Sequence, residues 1–216
     1  ISLQSANSQV GRHFCGGAII DEKWIITAAH CVKGRQPEDL KILTGTQDLK
    51  KGGRMYYADA IIPHSRYNVP PYHNDIALIR LNDSVEYNNF TKAISYAYQN
   101  LPESAILTLT GWGRLGSGKL PDVLQSIDLK YVPYEECKSK YNDSPIVDVG
   151  HVCTYNKEGE GACRGDSGGP LVFKDELVAL VNFGKPCAVG FPDVHARISY
   201  YHDFIRTNIN TPRNDV

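Results

Sequence analysis

Three short stretches carry residue types that work together in nucleophilic catalysis. Thr27-Ala28-Ala29-His30-Cys31 follows the apolar run Trp24-Ile25-Ile26, Asn74-Asp75-Ile76-Ala77-Leu78 opens a second run, and Gly165-Asp166-Ser167-Gly168-Gly169-Pro170 is a glycine-dense turn around one serine. A serine hydroxyl is a poor nucleophile at neutral pH unless a base within hydrogen-bond reach takes its proton. His30 suits that base, because imidazole titrates near neutrality. Asp75 suits the carboxylate that fixes the imidazole tautomer and stabilises its cation. Glycines on both sides of Ser167 let the N–H groups of Gly165 and Ser167 converge on the oxyanion formed at an attacked carbonyl. Singly, each stretch has an ordinary structural reading as a satisfied histidine, an Asn-Asp turn or a glycine loop. Their order, His then Asp then Ser at separations of 45 and 92 residues, is what sets them apart.

The elements that must hold these residues are short and β-rich. Runs at 13–20, 24–27, 40–44, 55–62, 76–81, 105–110, 124–132, 171–173, 177–183 and 192–198 are broken by Gly, Pro, Asn and Asp, the pattern of an all-β barrel or sandwich. A terminal helix is expected over 199–210, where Tyr201, Phe204, Ile205 and Ile209 recur near helical spacing. A shorter one opens at Pro133, with Glu135 and Glu136 early and Lys138 and Lys140 late, the polarity a helix dipole favours. The polar stretch 83–104 divides the chain into two expected domains, 1–100 with His30 and Asp75, and 101–216 with Ser167.

Composition narrows the function classes. The chain has 216 residues, 42% of them hydrophobic, which is ordinary for a globular protein. Its 23 basic and 24 acidic side chains form no like-charge block, so nucleic acid and anionic membrane surfaces are not expected partners. No apolar run approaches the length of a membrane span.

The six cysteines, Cys15, Cys31, Cys137, Cys153, Cys163 and Cys187, include no Cys-x-x-Cys pair, which argues for disulfides over zinc or a redox dithiol. Six cysteines allow 15 connectivities, and the equal spacing within the first two pairs along the chain is compatible with local bridges. Three sequons, at Asn82, Asn89 and Asn142, are candidate glycosylation sites and support a secretory route. The single Met is at position 55 and the chain opens Ile-Ser-Leu-Gln, so a processed or truncated product is expected. His13, His64, His73, His151, His195 and His202 lack metal-ligand spacing and are expected on the surface or in turns. The loop 47–54 holds one acid, Asp48, among Lys50, Lys51 and Arg54, too little negative charge for calcium, so neither metal nor cofactor is expected.

With His30, Asp75 and Ser167 in this order, and with Cys15-Gly16-Gly17, Gly111-Trp112-Gly113, Phe183-Gly184 and Pro192-Asp193-Val194 in support, the chain resembles the chymotrypsin-like serine endopeptidases, most nearly those of arthropods. The resemblance runs from near Ser2 to the terminal helix. It implies two antiparallel six-stranded β-barrels with a C-terminal helix, the site in the cleft between them, and disulfides Cys15–Cys31, Cys137–Cys153 and Cys163–Cys187. It also implies a secreted, monomeric hydrolase that cuts peptide bonds through an acyl-enzyme, with protein or peptide substrates and protein inhibitors as partners.

The specificity pocket implied by the family comprises Gly161 at the floor, Asn182, Phe183 and Gly184 along the wall, and Asp193 at the back. A floor without a carboxylate favours large apolar or aromatic side chains before the cut bond, because a buried ammonium needs a partner. Asp193, if it faces the pocket, adds tolerance of Lys and Arg. Asn182 stands where the family has a Ser supporting the triad carboxylate. Asp166 matches the residue that pairs with the ammonium freed when the family's zymogens are cleaved at an Ile-Val-Gly-Gly segment, and Ile1 aligns downstream of that segment and is not expected to reach it. Two function classes follow: an active endopeptidase, or a zymogen-like homologue that acts as a binding protein.

Overall fold

The structure, a computed structural model, describes residues 1–6, 12–116 and 118–210. Seven strands form the first sheet: β1 (Ser2–Ser5), β2 (His13–Gly16), β3 (Ala18–Asp21), β4 (Trp24–Thr27), β5 (Leu40–Thr44), β6 (Arg54–Pro63) and β7 (Ala77–Leu81), ordered β2-β1-β5-β6-β7-β4-β3. β2 and β3 are two halves of the run expected at 13–20, parted at Gly17, so the sheet is a nearly closed barrel of six. The second sheet contains β8 (Ser95–Tyr96), β9 (Ile106–Gly111), β10 (Gln125–Val132), β11 (His151–Thr154), β12 (Pro170–Phe173), β13 (Glu176–Phe183) and β14 (Asp193–Arg197). Pairing of β12 with both β9 and β13 closes six of these strands into a ring, and β8 adds to β13 in parallel. The fold is the expected pair of β-barrels.

Three strands were absent from the sequence expectation, β1, β8 and β11. β1 reads Ser-Leu-Gln-Ser, yet Ser2 and Gln4 are buried beside Leu3, because the polar side chains find partners: Ser2 Oγ lies 2.8 Å from His13 Nδ1 and Gln4 Nε2 donates to Ser2 Oγ at 3.4 Å. β11 hides the same way, with Thr154 bonded to His195 Nε2 at 2.8 Å.

Strands β4 and β7 are buried on both faces, which explains their unbroken apolar sequence. Side chains alternate along a strand. Ile25, Ile79 and Leu81 therefore point into the first barrel with Leu3, Leu40 and Ile42. Trp24, Ile26 and Leu78 point the other way, onto Leu177 and Leu180 of the second sheet and onto Ile198, Tyr201 and Ile205 near the terminus. This seam is a core shared by both barrels, and each fully buried Ile or Leu in it contributes about 1.5–3 kcal/mol. The terminal helix α3 (His202–Asn210) follows a 3₁₀ turn (Ile198–Tyr201) and seals the seam through Ile205.

Two further helices are short: α1 (Ala29–Val32), a single turn after β4, and α2 (Tyr134–Lys140). α2 begins after Pro133, where the absent proline N–H costs nothing, and its Cys137 is fully buried. The three disulfides are Cys15–Cys31, Cys137–Cys153 and Cys163–Cys187, which leaves no free cysteine. Asn82, Asn89 and Asn142 are exposed.

The histidines depart from expectation. His13, His73, His151 and His195 are buried rather than on the surface, while His64 and His202 are half-buried. Hydropathy counts imidazole as polar, but each buried ring has at least one nitrogen met by a partner remote in sequence, and among the described residues His195 Nδ1 lacks a partner.

Candidate active site

Strand pairing brings His30 and Asp75 together. β4 and β7 run antiparallel with Thr27 opposite Ala77, so the end of one strand meets the start of the other. His30 follows Thr27 by one helical turn, and Asp75 precedes Ala77. Asp75 is buried and grips His30 at two points: Oδ1 accepts the backbone N–H at 2.8 Å, and Oδ2 accepts Nδ1–H at 2.6 Å. With Nδ1 committed as donor, Nε2 keeps its lone pair, the tautomer a general base needs. The imidazole stays about one-third exposed, facing the cleft.

Ser167 arrives from the second sheet, on the turn before β12. Its carbonyl accepts the N–H of Gly16 at 2.8 Å, beside the Cys15–Cys31 bridge that adjoins His30. The next residue, Gly168, has φ +69°, and a Cβ there would collide with Thr27 Oγ1 and the Ala28 backbone, so only glycine lets the turn approach the His30 segment this closely. Among the described residues no hydrogen bond joins Ser167 Oγ to His30. Catalytic hydrogen bonds of this kind tighten when substrate binds.

His13 anchors the same turn, a role the sequence did not reveal. Its Nε2–H donates to Gly165 O at 2.9 Å while Nδ1 accepts the Ser2 hydroxyl at 2.8 Å, a relay that fixes the peptide following Gly165. Burial pulls the His13 pKa below the ordinary imidazole value, opposed by its bond to Gly165, so the ring stays neutral and the relay keeps its direction. The only sequence signal was a histidine two residues before Cys15, and its partner lies 152 positions away. Asp166 turns inward from this loop, with Oδ1 accepting Gly113 N–H at 2.9 Å and Oδ2 accepting Cys163 N–H at 3.0 Å. Its burial raises the carboxyl pKa, partly countered by those two bonds, and among the described residues no cationic side chain pairs with it. The Ile1 amine instead donates to Gly17 O at 3.0 Å.

The five pocket residues of the sequence reading fall on β13, β14 and the loops beside them. Asp193 does face Gly161 and Gly184: a Cβ added to Gly161 would collide with its Oδ2, and one added to Gly184 would press on its Oδ1. Oδ2 accepts Ala162 N–H at 2.7 Å. Burial pushes the Asp193 carboxyl up to about 7, the Ala162 bond pulls it down, and the negative charge of Asp166 pushes it up again. Phe183 stacks on Tyr72 at 4.7 Å between ring centres. Among the described residues Asn182 makes no hydrogen bond to Asp75. Its Nδ2 donates to Tyr72 O at 2.9 Å, tying the Asp75 segment to β13 through backbone instead.

A family model described as Trypsin matches residues 1–205 of this chain. Chymotrypsin-2 of Vespa crabro is 38% identical over 202 residues, covering 91% of this chain and 89% of that protein. Trypsin epsilon of Drosophila erecta is 36% identical over 211 residues, covering 95% and 80%. Hypodermin-A of Hypoderma lineatum is 34% identical over 212 residues, covering 96% and 81%.

Proposed function

The chain belongs to the trypsin family of serine proteases, and from that premise we propose that it is a secreted endopeptidase working through an acyl-enzyme, with His30, Asp75 and Ser167 as its triad. The observation that carries the reading is the two-point grip of Asp75 on His30 at 2.8 and 2.6 Å. Ser167 Oγ attacks the scissile carbonyl while His30 Nε2 takes its proton, and the N–H groups of Gly165 and Ser167 receive the oxyanion. His30 returns the proton to the leaving amine, and a water deacylates Ser167 by the same route. The three exposed sequon asparagines and three disulfides support export and glycosylation. No helix among the described residues is long and apolar enough to cross a membrane. The enzyme acts as a monomer on protein or peptide substrates and is open to protein inhibitors that occupy the same cleft.

Asp166 is the activation partner in this reading. A buried carboxylate held, among the described residues, by two amide N–H groups is destabilised as an anion, and a primary ammonium delivered there restores it and sets the Gly165 and Ser167 donors.

Specificity follows from Asp193 between Gly161 and Gly184. Large apolar and aromatic side chains fill the glycine-walled pocket, and Lys or Arg is accepted when Asp193 is ionised. Labelling of Ser167 by a fluorophosphonate, located by peptide mass spectrometry, tests the nucleophile. A folded, amine-activated chain that leaves Ser167 unlabelled would overturn the endopeptidase reading in favour of a binding protein.

A further inference from the structure

Behind the triad, three side chains from positions 75 and 78 residues apart form a cluster that the proposed peptidase chemistry does not use. His73 Nε2 lies 3.0 Å from Asp148 Oδ2, and His151 Nδ1 lies 2.9 Å from Asp148 Oδ1. His73 belongs to the first-barrel segment that carries Asp75, while Asp148 and His151 belong to the second-barrel segment entering β11.

The outer hydrogen bonds of the two rings decide what the inner atoms can do. His73 Nδ1 is 3.0 Å from Pro71 O, and His151 Nε2 is 3.3 Å from Tyr72 O. A carbonyl only accepts, so both outer nitrogens carry protons. In the neutral rings that leaves Nε2 of His73 and Nδ1 of His151 as lone pairs. Asp148 N–H donating to the same His151 Nδ1 at 3.1 Å agrees with that tautomer. The competing His151 tautomer gives Nδ1–H to Asp148 but loses the Asp148 amide bond and offers Nε2 only a 3.4 Å contact from Asn182 Nδ2. Two lone pairs thus face one carboxylate, an arrangement that calls for positive charge among the three groups.

We propose that His73, Asp148 and His151 bind a zinc-class divalent cation across the seam between the barrels. The donor set of two neutral imidazoles and a carboxylate suits zinc and its transition-metal neighbours better than calcium or magnesium. Zinc with bonds near 2.0–2.2 Å holds tetrahedral ligand atoms roughly 3.3 Å apart; each ring nitrogen sits 2.9–3.0 Å from its own oxygen of the Asp148 carboxylate, and one ligand atom from each of the three residues lies within 4.8 Å of the others. Imidazole ligands whose second nitrogen is pinned to a backbone carbonyl are the usual outer support of such a site. The two rings are buried while Asp148 is about one-third exposed, which gives the ion an entry path and leaves a coordination position for water. Left-handed backbone at Tyr72 (φ 68°) and Asn74 (φ 56°) sets the angle at which His73 enters the seam. The bound cation ties the Asp75 segment to the second barrel.

This site does not depend on peptidase activity, so binding is its readout. Zinc is titrated by calorimetry into chelator-stripped His30→Ala protein, which removes the exposed triad imidazole as a rival ligand, and cobalt(II) is titrated in parallel. The expected result is one cation per chain, the visible absorption of tetrahedral cobalt, and a raised Tm. Outer-shell substitutions at such sites cost about 10–100-fold in affinity, so Asp148→Asn, which removes a ligand, should weaken binding by roughly 100-fold and abolish the Tm rise. Asp148 is partly exposed and that variant should fold; His73→Gln gives a second check, with folding of both verified by circular dichroism. No stoichiometric binding, or binding that both variants retain, would overturn the site and leave the cluster as a protonated ion pair.

Discussion

The Asp193 carboxylate fills the space that a side chain at Gly161 would need, with Ala162 N–H donating to it at 2.7 Å. An acid held against glycine floor and wall is an adjustable charge. Its pKa of about 7 falls inside the working range of a neutral peptidase. On the proposed specificity, the uncharged pocket below that pH is expected to suit Phe, Tyr and Leu, and the carboxylate above it is expected to suit Lys and Arg. The ratio of kcat/KM for an Arg substrate over a Phe substrate should therefore climb about tenfold between pH 6 and 8, and Asp193→Ala should flatten it. A ratio independent of pH in the parent enzyme would remove Asp193 from substrate recognition.

The same residue predicts a stability effect. The folded carboxyl, raised to about 7 from an ordinary 3.8, holds its proton where the unfolded chain has lost it. The folded state is thus weakened as pH rises through the window from about 4 to 7. Urea midpoints should decline across that window in the parent and decline less in Asp193→Asn, which should be the more stable protein at pH 8.

Replacing Asp75 by Asn keeps the shape but donates an N–H toward His30 Nδ1, favouring the wrong tautomer. A fall in kcat on the order of 10⁴-fold is the loss typical of this triad. The Tm should change little by comparison. A variant within tenfold of the parent would detach Asp75 from the mechanism.

His13→Ala should separate turn geometry from substrate affinity. Losing a direct oxyanion donor costs about 10²–10³ in kcat. His13 acts through Gly165 O and so should cost less, roughly 10–100-fold, with KM nearly unchanged. Partial recovery in His13→Gln, whose amide can still donate to Gly165 O, would distinguish this positioning role from simple loss of packing.

Ile26→Ala removes a fully buried side chain from the seam. Denaturant unfolding should show a loss of about 2–5 kcal/mol. A cost below about 1 kcal/mol would mean that the two barrels do not share a core there.

The family and its pair of barrels were legible in the sequence, while several individual strands and buried side chains were not. The stretches around His30, Asp75 and Ser167 stand out because glycine, serine and acid are needed there as such, and the disulfide partners and terminal helix followed from the resemblance and from periodicity. Strands β1 and β11 were hidden because their polar residues are buried against partners on other strands, as Ser2 is against His13 and Thr154 against His195. The inward roles of His13, His73 and His151 were hidden for the same reason, since spacing along the chain carries no trace of contacts that span 75 residues or more.

Strand pairing within the first barrel holds His30 and Asp75, the proposed base and its orienting acid, as one unit, whereas Ser167, the proposed nucleophile, hangs from the second. Heating that loosens the seam before melting either barrel would leave the His30–Asp75 hydrogen bonds intact yet carry Ser167 out of reach. Inactivation would then precede the collapse of β-structure, and activity, rather than spectroscopy, would be the earlier thermometer of how the two halves are aligned.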